Sequence, residues 1–121
     1  MLAGRNFGYL ATLMDDGSPH VTPIWVDTDG ERILLNTAVG RVKAENVRHD
    51  DRVALTVTDA EDPYRHADMR GRVVAFIDGP AAEAHIHKLH RKYHGSGRYP
   101  LRPDEQRLLL MIEPEAVWPR D

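Results

Sequence analysis

Residues 37–46 (TAVGRVKAEN) bring two cations, a hydroxyl group and a glycine into one short segment. Arg41 and Lys43 are two positions apart, so deep inside a helix their side chains would point roughly 200° away from each other. At a first helical turn they can instead converge on one point, where free backbone N–H groups and the helix dipole favour an anion. Thr37 offers a hydroxyl and Gly40 allows close approach of the backbone. The segment predicts either a phosphate site or a capped surface helix with a solvated basic face.

Residues 20–26 (HVTPIWV) place Pro23 inside an otherwise strand-like segment. Because proline has no N–H group, it would cost a ladder hydrogen bond unless that backbone edge faces something other than a strand. Two interpretations remain open. A ligand lies against this edge, or the segment is an edge strand in which Trp25 is a core aromatic residue.

Four of the seven histidines lie within ten residues of one another: His85, His87, His90 and His94. On a helix, His87, His90 and His94 share one flank, and His90 with His94 has the i, i+4 spacing used in zinc sites. No HExxH pattern and no carboxylate at matching spacing accompany them. We therefore predict no metal site and interpret this flank as a solvated polar surface beside the apolar stripe of the helix.

No catalytic motif of a known kind is present. There is no cysteine, no Gly-x-Ser-x-Gly elbow, no Walker phosphate loop and no Gly-x-Gly-x-x-Gly fingerprint. A phosphate-binding protein without acid–base machinery is consistent with a cofactor that carries the chemistry itself. We predict no catalytic side chain.

The composition limits the classes of binding partner that we expect. A net charge of −3 and 7% aromatic residues argue against nucleic-acid binding, and no segment has the ~20 apolar residues of a membrane helix. We expect a cytoplasmic protein with no nucleic-acid or membrane partner. At 121 residues, without a linker, the chain is expected to form a single domain over residues 1–121.

The elements that position these residues follow from periodicity and turn signals. Asp-Gly turns and alternating apolar positions predict strands at 7–14, 20–27, 32–37, 52–59, 66–77 and 107–112, the last followed by a proline-rich tail. Gly71 is expected to mark a bulge. Helices are predicted at about 41–49 and along 82–93, the second ending at Gly95. Short turns between most strands favour an antiparallel barrel.

In order along the chain, FGYLAT, DGSPHVTPIWV, NTAVGRVKAENVRHDDRVALTV, DPYRHADMRGRV and LHRKYHGSGRYP resemble the flavin and deazaflavin oxidoreductase superfamily. These proteins are split β-barrels related to pyridoxamine 5′-phosphate oxidase. The most specific piece is NT-x(3)-R-x-K-x(2)-N, and the pattern is more similar to the deazaflavin (coenzyme F420)-dependent reductases than to true pyridoxamine phosphate oxidases. The resemblance implies a mainly β protein with two or three helices, built as a six-stranded antiparallel split β-barrel of the FMN-binding type. Family members begin with a helix before FGYLAT, of which only MLAGRN remains here, so we expect either one missing barrel cap or a start codon assigned too late.

The resemblance also implies a homodimer with a cofactor at each end of the interface. Arg41 and Lys43 would hold the phosphate, and the ring would lie along residues 21–25. The cofactor-binding set that the resemblance implies is Val21, Thr22, Pro23, Ile24, Trp25, Asn36, Thr37, Ala38, Arg41, Val42, Lys43 and Asn46.

The expected function is hydride transfer from reduced coenzyme F420 to a small conjugated substrate. One alternative is an FMN-dependent oxidase or reductase, because both cofactors carry a phosphate on a ribityl chain. F420 adds an acidic oligoglutamate tail, for which five further cations are candidates: Arg48, Arg52, Lys88, Arg91 and Lys92. Another alternative is a non-catalytic barrel that binds flavin, or that binds haem through a histidine. The substrate would be selected by loops such as 60–65 and 95–103.

Overall fold

The computed structural model describes residues 1–120, with side chains described through residue 118. Its six strands are β1 (Phe7–Leu13), β2 (Pro19–Thr28), β3 (Ile33–Ala38), β4 (Arg52–Thr58), β5 (His66–Ile77) and β6 (Arg107–Arg120). Helix α1 (Val42–His49) follows β3, and helix α2 (Gly79–His94) connects β5 to β6. Neither described helix is long and apolar enough to cross a membrane.

The strands form a closed antiparallel barrel in the order β1-β2-β3-β6-β5-β4. This confirms the six-stranded antiparallel barrel, with two helices in the described part of the chain. Alternate residues of each strand face the interior, where Leu10, Val26, Leu35 and Leu110 are almost completely buried. Helix α1 adds Ala44 and Val47 to the same core. The burial of its apolar face therefore fixes where the first turn of α1 lies.

The barrel is split between β2 and β3. Strand β2 pairs with β1 from Pro19 to Trp25, but it pairs with β3 only through Val26, Asp27 and Thr28. Residues 19–25 of β2 therefore have a strand partner on one side only. Pro23 lies in this stretch, which explains how a proline is accommodated within the strand.

Helix α2 lies beside the split. The Tyr93 hydroxyl accepts a hydrogen bond from the Val26 amide (3.0 Å) and donates one to the Asn6 carbonyl (2.6 Å). Lys92 Nζ donates to the Val26 and Leu2 carbonyls. The helix ends at Gly95, whose φ of 88° is the left-handed conformation that favours glycine at a helix C-terminus. The predicted helix stop is confirmed.

The prediction of a proline-rich tail after residue 112 was wrong, because β6 continues to Arg120. Beyond Ile112, strand β6 pairs only with β5, so Pro114 removes no hydrogen bond from a second neighbour. Residue 121 of the predicted tail lies outside the described residues. The predicted irregularity at Gly71 is confirmed, since the β5–β6 register shifts between Arg70 and Gly71.

Candidate functional site

A cavity of about 290 Å³ opens at the split. It lies between β2, β3 and α2, where the strands diverge and leave space that a continuous sheet would fill. Its lining residues are Phe7, Pro23, Ile24, Trp25, Asn36, Arg41, Lys43, Ile86, Leu89, Tyr99 and Arg107. Small-molecule sites typically have this character, mostly apolar with a few converging polar groups.

Three of these residues are cations, two from the start of α1 and one from β6. Arg41 is the N-cap residue of α1, Lys43 lies in its first turn, and Arg107 begins β6, directly opposite Ala38 of β3. Among the described side chains, none caps the first turn of α1, so its free N–H groups remain available to an anion. Within residues 1–120, Arg107 pairs with Glu105 (2.8 Å), whereas Arg41 and Lys43 have no carboxylate at salt-bridge distance. The cavity therefore keeps an unneutralised positive charge.

The environment of Lys43 also favours an anionic partner. Burial lowers the pKa of its ammonium group below the ordinary value, and repulsion from Arg41 and Arg107 adds to this effect. An anion placed among the three cations would reverse the repulsion. Binding of a phosphate would thus raise the pKa of Lys43.

The opposite wall of the cavity is aromatic and apolar. The Trp25 ring stacks on Tyr93 with centroids 5.2 Å apart and planes 8° apart, and Tyr99 meets it edge-on at 6.3 Å. Pro23, which has no side-chain polar group, lies two residues before Trp25 on the same strand. A planar ring system laid along this wall would find a rigid surface.

The structure brings half of the predicted cofactor set into this cavity: Pro23, Ile24, Trp25, Asn36, Arg41 and Lys43. The other six predicted residues lie elsewhere. Ala38 lines a neighbouring, more polar cavity that shares Arg41 and Tyr99 with the first. Val42 and Asn46 line a third cavity beside residues 14–18.

The remaining predicted residues, two on β2 and one on β3, differ in exposure. The Thr22 and Thr37 hydroxyls are buried and have no hydrogen-bond partner in the described residues, whereas Val21 is 63% exposed. Asn46, besides lining the third cavity, is buried and donates to Thr12 Oγ1 (3.0 Å). Asn46 therefore ties α1 to β1.

The prediction of a solvated histidine flank on α2 was wrong in part. His90 and His94 pack edge-on against Trp25, at 6.3 and 5.5 Å between centroids, because the helix turns this flank toward β2. His87 Nδ1 accepts a hydrogen bond from the Tyr99 amide (3.1 Å) and so anchors the loop that follows α2. His94 is exposed, in keeping with the prediction.

Sequence reasoning missed Arg107. It named five other cations as candidates for binding an acidic cofactor tail. Of the five candidates for an acidic tail, none lines the main cavity. Arg52 pairs with Asp50, Lys88 pairs with Asp27, and Lys92 bonds to backbone carbonyls. Arg107 carried one weak signal, a charge directly ahead of the apolar run LLLMI. Charged residues are common at strand starts, so this signal does not single it out.

Three solved structures share this architecture. A solved F420 reductase is 30% identical, with a TM-score of 0.85 over 97% of this chain and 92% of that one. The protein Rv2991 from Mycobacterium tuberculosis is 26% identical, with a TM-score of 0.73 over 93% of this chain and 76% of that one. HutZ, a haem storage protein from Vibrio cholerae, shares the fold at 14% identity, with a TM-score of 0.70 over 95% of this chain and 86% of that one.

The sequence profile of the pyridoxamine 5′-phosphate oxidase family matches residues 1–121. The match therefore includes every element of the barrel and every residue that lines the cavity. Together with the closed six-stranded barrel and its split, it shows that this chain belongs to the pyridoxamine 5′-phosphate oxidase family.

Proposed function

We propose that this protein is an oxidoreductase that binds reduced coenzyme F420 and transfers its hydride to a small conjugated organic substrate. The observation that carries the proposal is the convergence of Arg41, Lys43 and Arg107 at a cavity whose opposite wall is formed by Pro23, Ile24 and Trp25. Similarity to an F420 reductase over nearly the whole of both chains supports it.

The residues present fit such a cofactor. The two unpaired cations and the uncapped first turn of α1 suit a phosphate, and the apolar strand segment suits a planar ring. When bound, the reduced deazaflavin would supply a hydride from C5 of its ring. The protein's part is then to fix the position of the cofactor and to exclude water from one ring face. Thr37 and Ala38 would complete the linker pocket from the end of β3, and Val21, Thr22, Val42 and Asn46 would border it.

The cavity is open to solvent at the split, so its lining residues would enclose only part of such a ligand. The rest would extend over the open side of β2, where Val21 is exposed. We propose that a second copy of the chain covers this side and that the site is shared between two protomers.

FMN is the second candidate, because the same cations would hold its phosphate equally well. Titration of the purified protein with F420 and with FMN, followed by fluorescence, separates the two. We expect saturable binding of F420 and, after its enzymatic reduction, oxidation by quinones or unsaturated carbonyl compounds in a protein-dependent reaction. Binding of FMN without F420 would assign the site to FMN. A Soret band on adding haem, with turnover of neither cofactor, would contradict both enzyme assignments.

A further inference from the structure

A chain of buried side chains runs from β2 through α2 and β3 to β6, and its members on β3 and β6 line the cavity. His85 Nε2 lies 3.1 Å from Asp27 Oδ2, and His85 Nδ1 lies 3.1 Å from Asn36 Nδ2. Arg107 Nε donates to Asn36 Oδ1 at 2.9 Å. All four residues are at most 7% exposed. We refer to Asp27, His85, Asn36 and Arg107 as the relay.

The hydrogen bonds of the relay determine where the proton of His85 lies. Arginine has only donors, so the Asn36 oxygen must face Arg107. The Asn36 amide nitrogen then donates both to the Ala82 carbonyl (2.9 Å) and to His85 Nδ1. His85 Nδ1 is therefore the unprotonated acceptor, and Nε2 carries the hydrogen that is donated to Asp27.

We propose that neutral His85 is a positioning residue, which holds Asn36 and through it the Arg107 guanidinium at the cavity, and that protonation of His85 weakens the binding of phosphate-bearing ligands there. The effect on ligand binding rests on the proposed function. The positioning of Asn36 and Arg107 by His85 does not depend on it. Arg107 lines the cavity, whereas His85 does not, so His85 would act on a ligand only through Asn36.

A doubly protonated His85 is incompatible with the relay. Its Nδ1–H would face the Asn36 amide hydrogens. Rotation of the amide by 180° would satisfy Nδ1–H, but it would turn two donors toward each other at Arg107 and two oxygens toward each other at Ala82. No orientation of Asn36 serves all three neighbours, so Arg107 would lose its hydrogen bond to Asn36 and keep only Glu105 as a partner.

Burial is the main reason that His85 favours its neutral form. Burial lowers the pKa of His85, and it outweighs the opposing effect of Asp27 on β2, while Lys88 and Lys92 on α2 add to the lowering. Across β3, Arg107 and His85 each contact Asn36. Lys88 Nζ lies 3.2 Å from Asp27 Oδ2 and so already neutralises that carboxylate.

Nitrogen-15 NMR of the imidazole and guanidinium groups of the wild-type protein tests the relay without any ligand. We expect His85 to show a protonated Nε2 and a bare Nδ1 at neutral pH. On acidification, the His85 nitrogens and the Arg107 Nε–H signal should shift with the same midpoint. Protonation of Nδ1 at neutral pH would overturn the positioning role. So would an Arg107 Nε–H signal that does not shift as His85 titrates.

The variant His85→Gln tests the consequence for binding, because a carboxamide offers one acceptor and one donor but does not titrate in this range. Dissociation constants for F420 and for FMN are measured between about pH 5 and pH 8, where histidine changes charge. We expect H85Q to match the wild type at the upper end. At the lower end, the wild type should lose about tenfold more affinity than H85Q, the effect of one hydrogen bond to a charged group.

The control is His49→Gln, which removes an exposed histidine on α1 and should keep the pH profile of the wild type. Ligand protonation is the same in all three proteins, so only the difference between profiles reports on His85. Identical profiles for wild type and H85Q would refute the effect on binding. If neither ligand binds at any pH, the proposed function fails, whereas the coupled NMR titration still decides the role of His85.

Discussion

The three cations of the cavity differ in how much of their charge a ligand would meet. Arg107 is 3% exposed and already pairs with Glu105, so its charge is largely neutralised within the protein. Lys43 is half-buried and Arg41 is exposed, and neither has a carboxylate partner in residues 1–120. The surplus positive charge therefore lies at the start of α1, and Arg107 serves more as a fixed donor than as free charge.

Replacing Lys43 by alanine should weaken cofactor binding by about 1.5–3 kcal/mol, the range for a hydrogen bond to a charged group. This corresponds to roughly a 10- to 150-fold rise in the dissociation constant, measured by fluorescence titration. Arg48→Ala, measured with FMN because FMN has no acidic tail, is the matched control, since it removes a positive charge from the same helix at a position that does not line the cavity. An unchanged dissociation constant for Lys43→Ala would remove Lys43 from the site.

The site residues that could be predicted are those indicated by their near neighbours in the sequence. Arg41 and Lys43 share one helix start, and Pro23 carries its own backbone constraint, so local rules indicated them. Arg107 and His85 reach the site through the β3–β6 register and the docking of α2, to which no local rule applies. Asn36 was named from the resemblance, but its contacts with both of these residues could not be foreseen.

At the scale of elements, the Tyr93 phenol group is one of the contacts that hold α2 to β2. Tyr93→Phe removes the hydroxyl that joins the Val26 amide to the Asn6 carbonyl, which leaves both backbone groups without this partner. We expect the free energy of unfolding to fall by about 1–3 kcal/mol, measured by chemical denaturation. Tyr64→Phe is the control, because Tyr64 is 91% exposed and should change stability by less than about 0.5 kcal/mol. Equal effects of the two substitutions on the free energy of unfolding would show that the Tyr93 hydroxyl does not help to hold α2 to β2.

The bulge at Gly71 allows β5 and β6 to approach closely. A Cβ atom at Gly71 would lie far inside contact distance of the Glu113 carbonyl oxygen, a backbone atom that cannot rotate away. Gly71→Ala should therefore destabilise the protein by about 1–3 kcal/mol, the usual cost of overpacking. Gly4→Ala, whose Cβ would meet only the end of the Asn6 side chain, should have little effect. Thermal unfolding of both variants decides whether the close approach is needed.

Element types were predictable from the sequence because turns and alternating apolar positions are local signals. The extent of β6 was not. Residues 113–120 contain prolines that oppose a strand on local grounds, and pairing along β5 overrides them where β6 has no second neighbour. The prediction that the histidine flank of α2 is solvated failed for a related reason. Periodicity shows which residues share a face of a helix, but not which element packs against that face.

The whole molecule exposes large apolar side chains on the outer side of β1 and β2. Phe7, Tyr9 and Val21 are 49%, 43% and 63% exposed; Val21 lies on β2, which borders the split, and Phe7 and Tyr9 lie on its neighbour β1. Val21→Asp should shift a concentration-dependent dimer toward monomer in sedimentation velocity experiments, because a buried unpaired carboxylate is costly. Cofactor affinity should fall in parallel if the partner completes the site.

Val117→Asp is the control for this substitution. Val117 is similarly exposed (53%) but lies on β6, three strands away from β1 around the ring. It should leave the oligomeric state unchanged. A wild-type protein that is monomeric at all concentrations and still binds cofactor fully would refute the shared site.

The position of β6 in the ring sets the order in which the molecule can be completed during synthesis. This strand lies between β3 and β5, yet it follows every other strand and both helices along the chain. A nascent chain therefore carries two unpaired strand edges until residues 107–120 have left the ribosome. Arg107 arrives with the same strand. Closure of the barrel and completion of the cavity are thus a single late event, and the ligand meets a finished site only after translation of the whole domain.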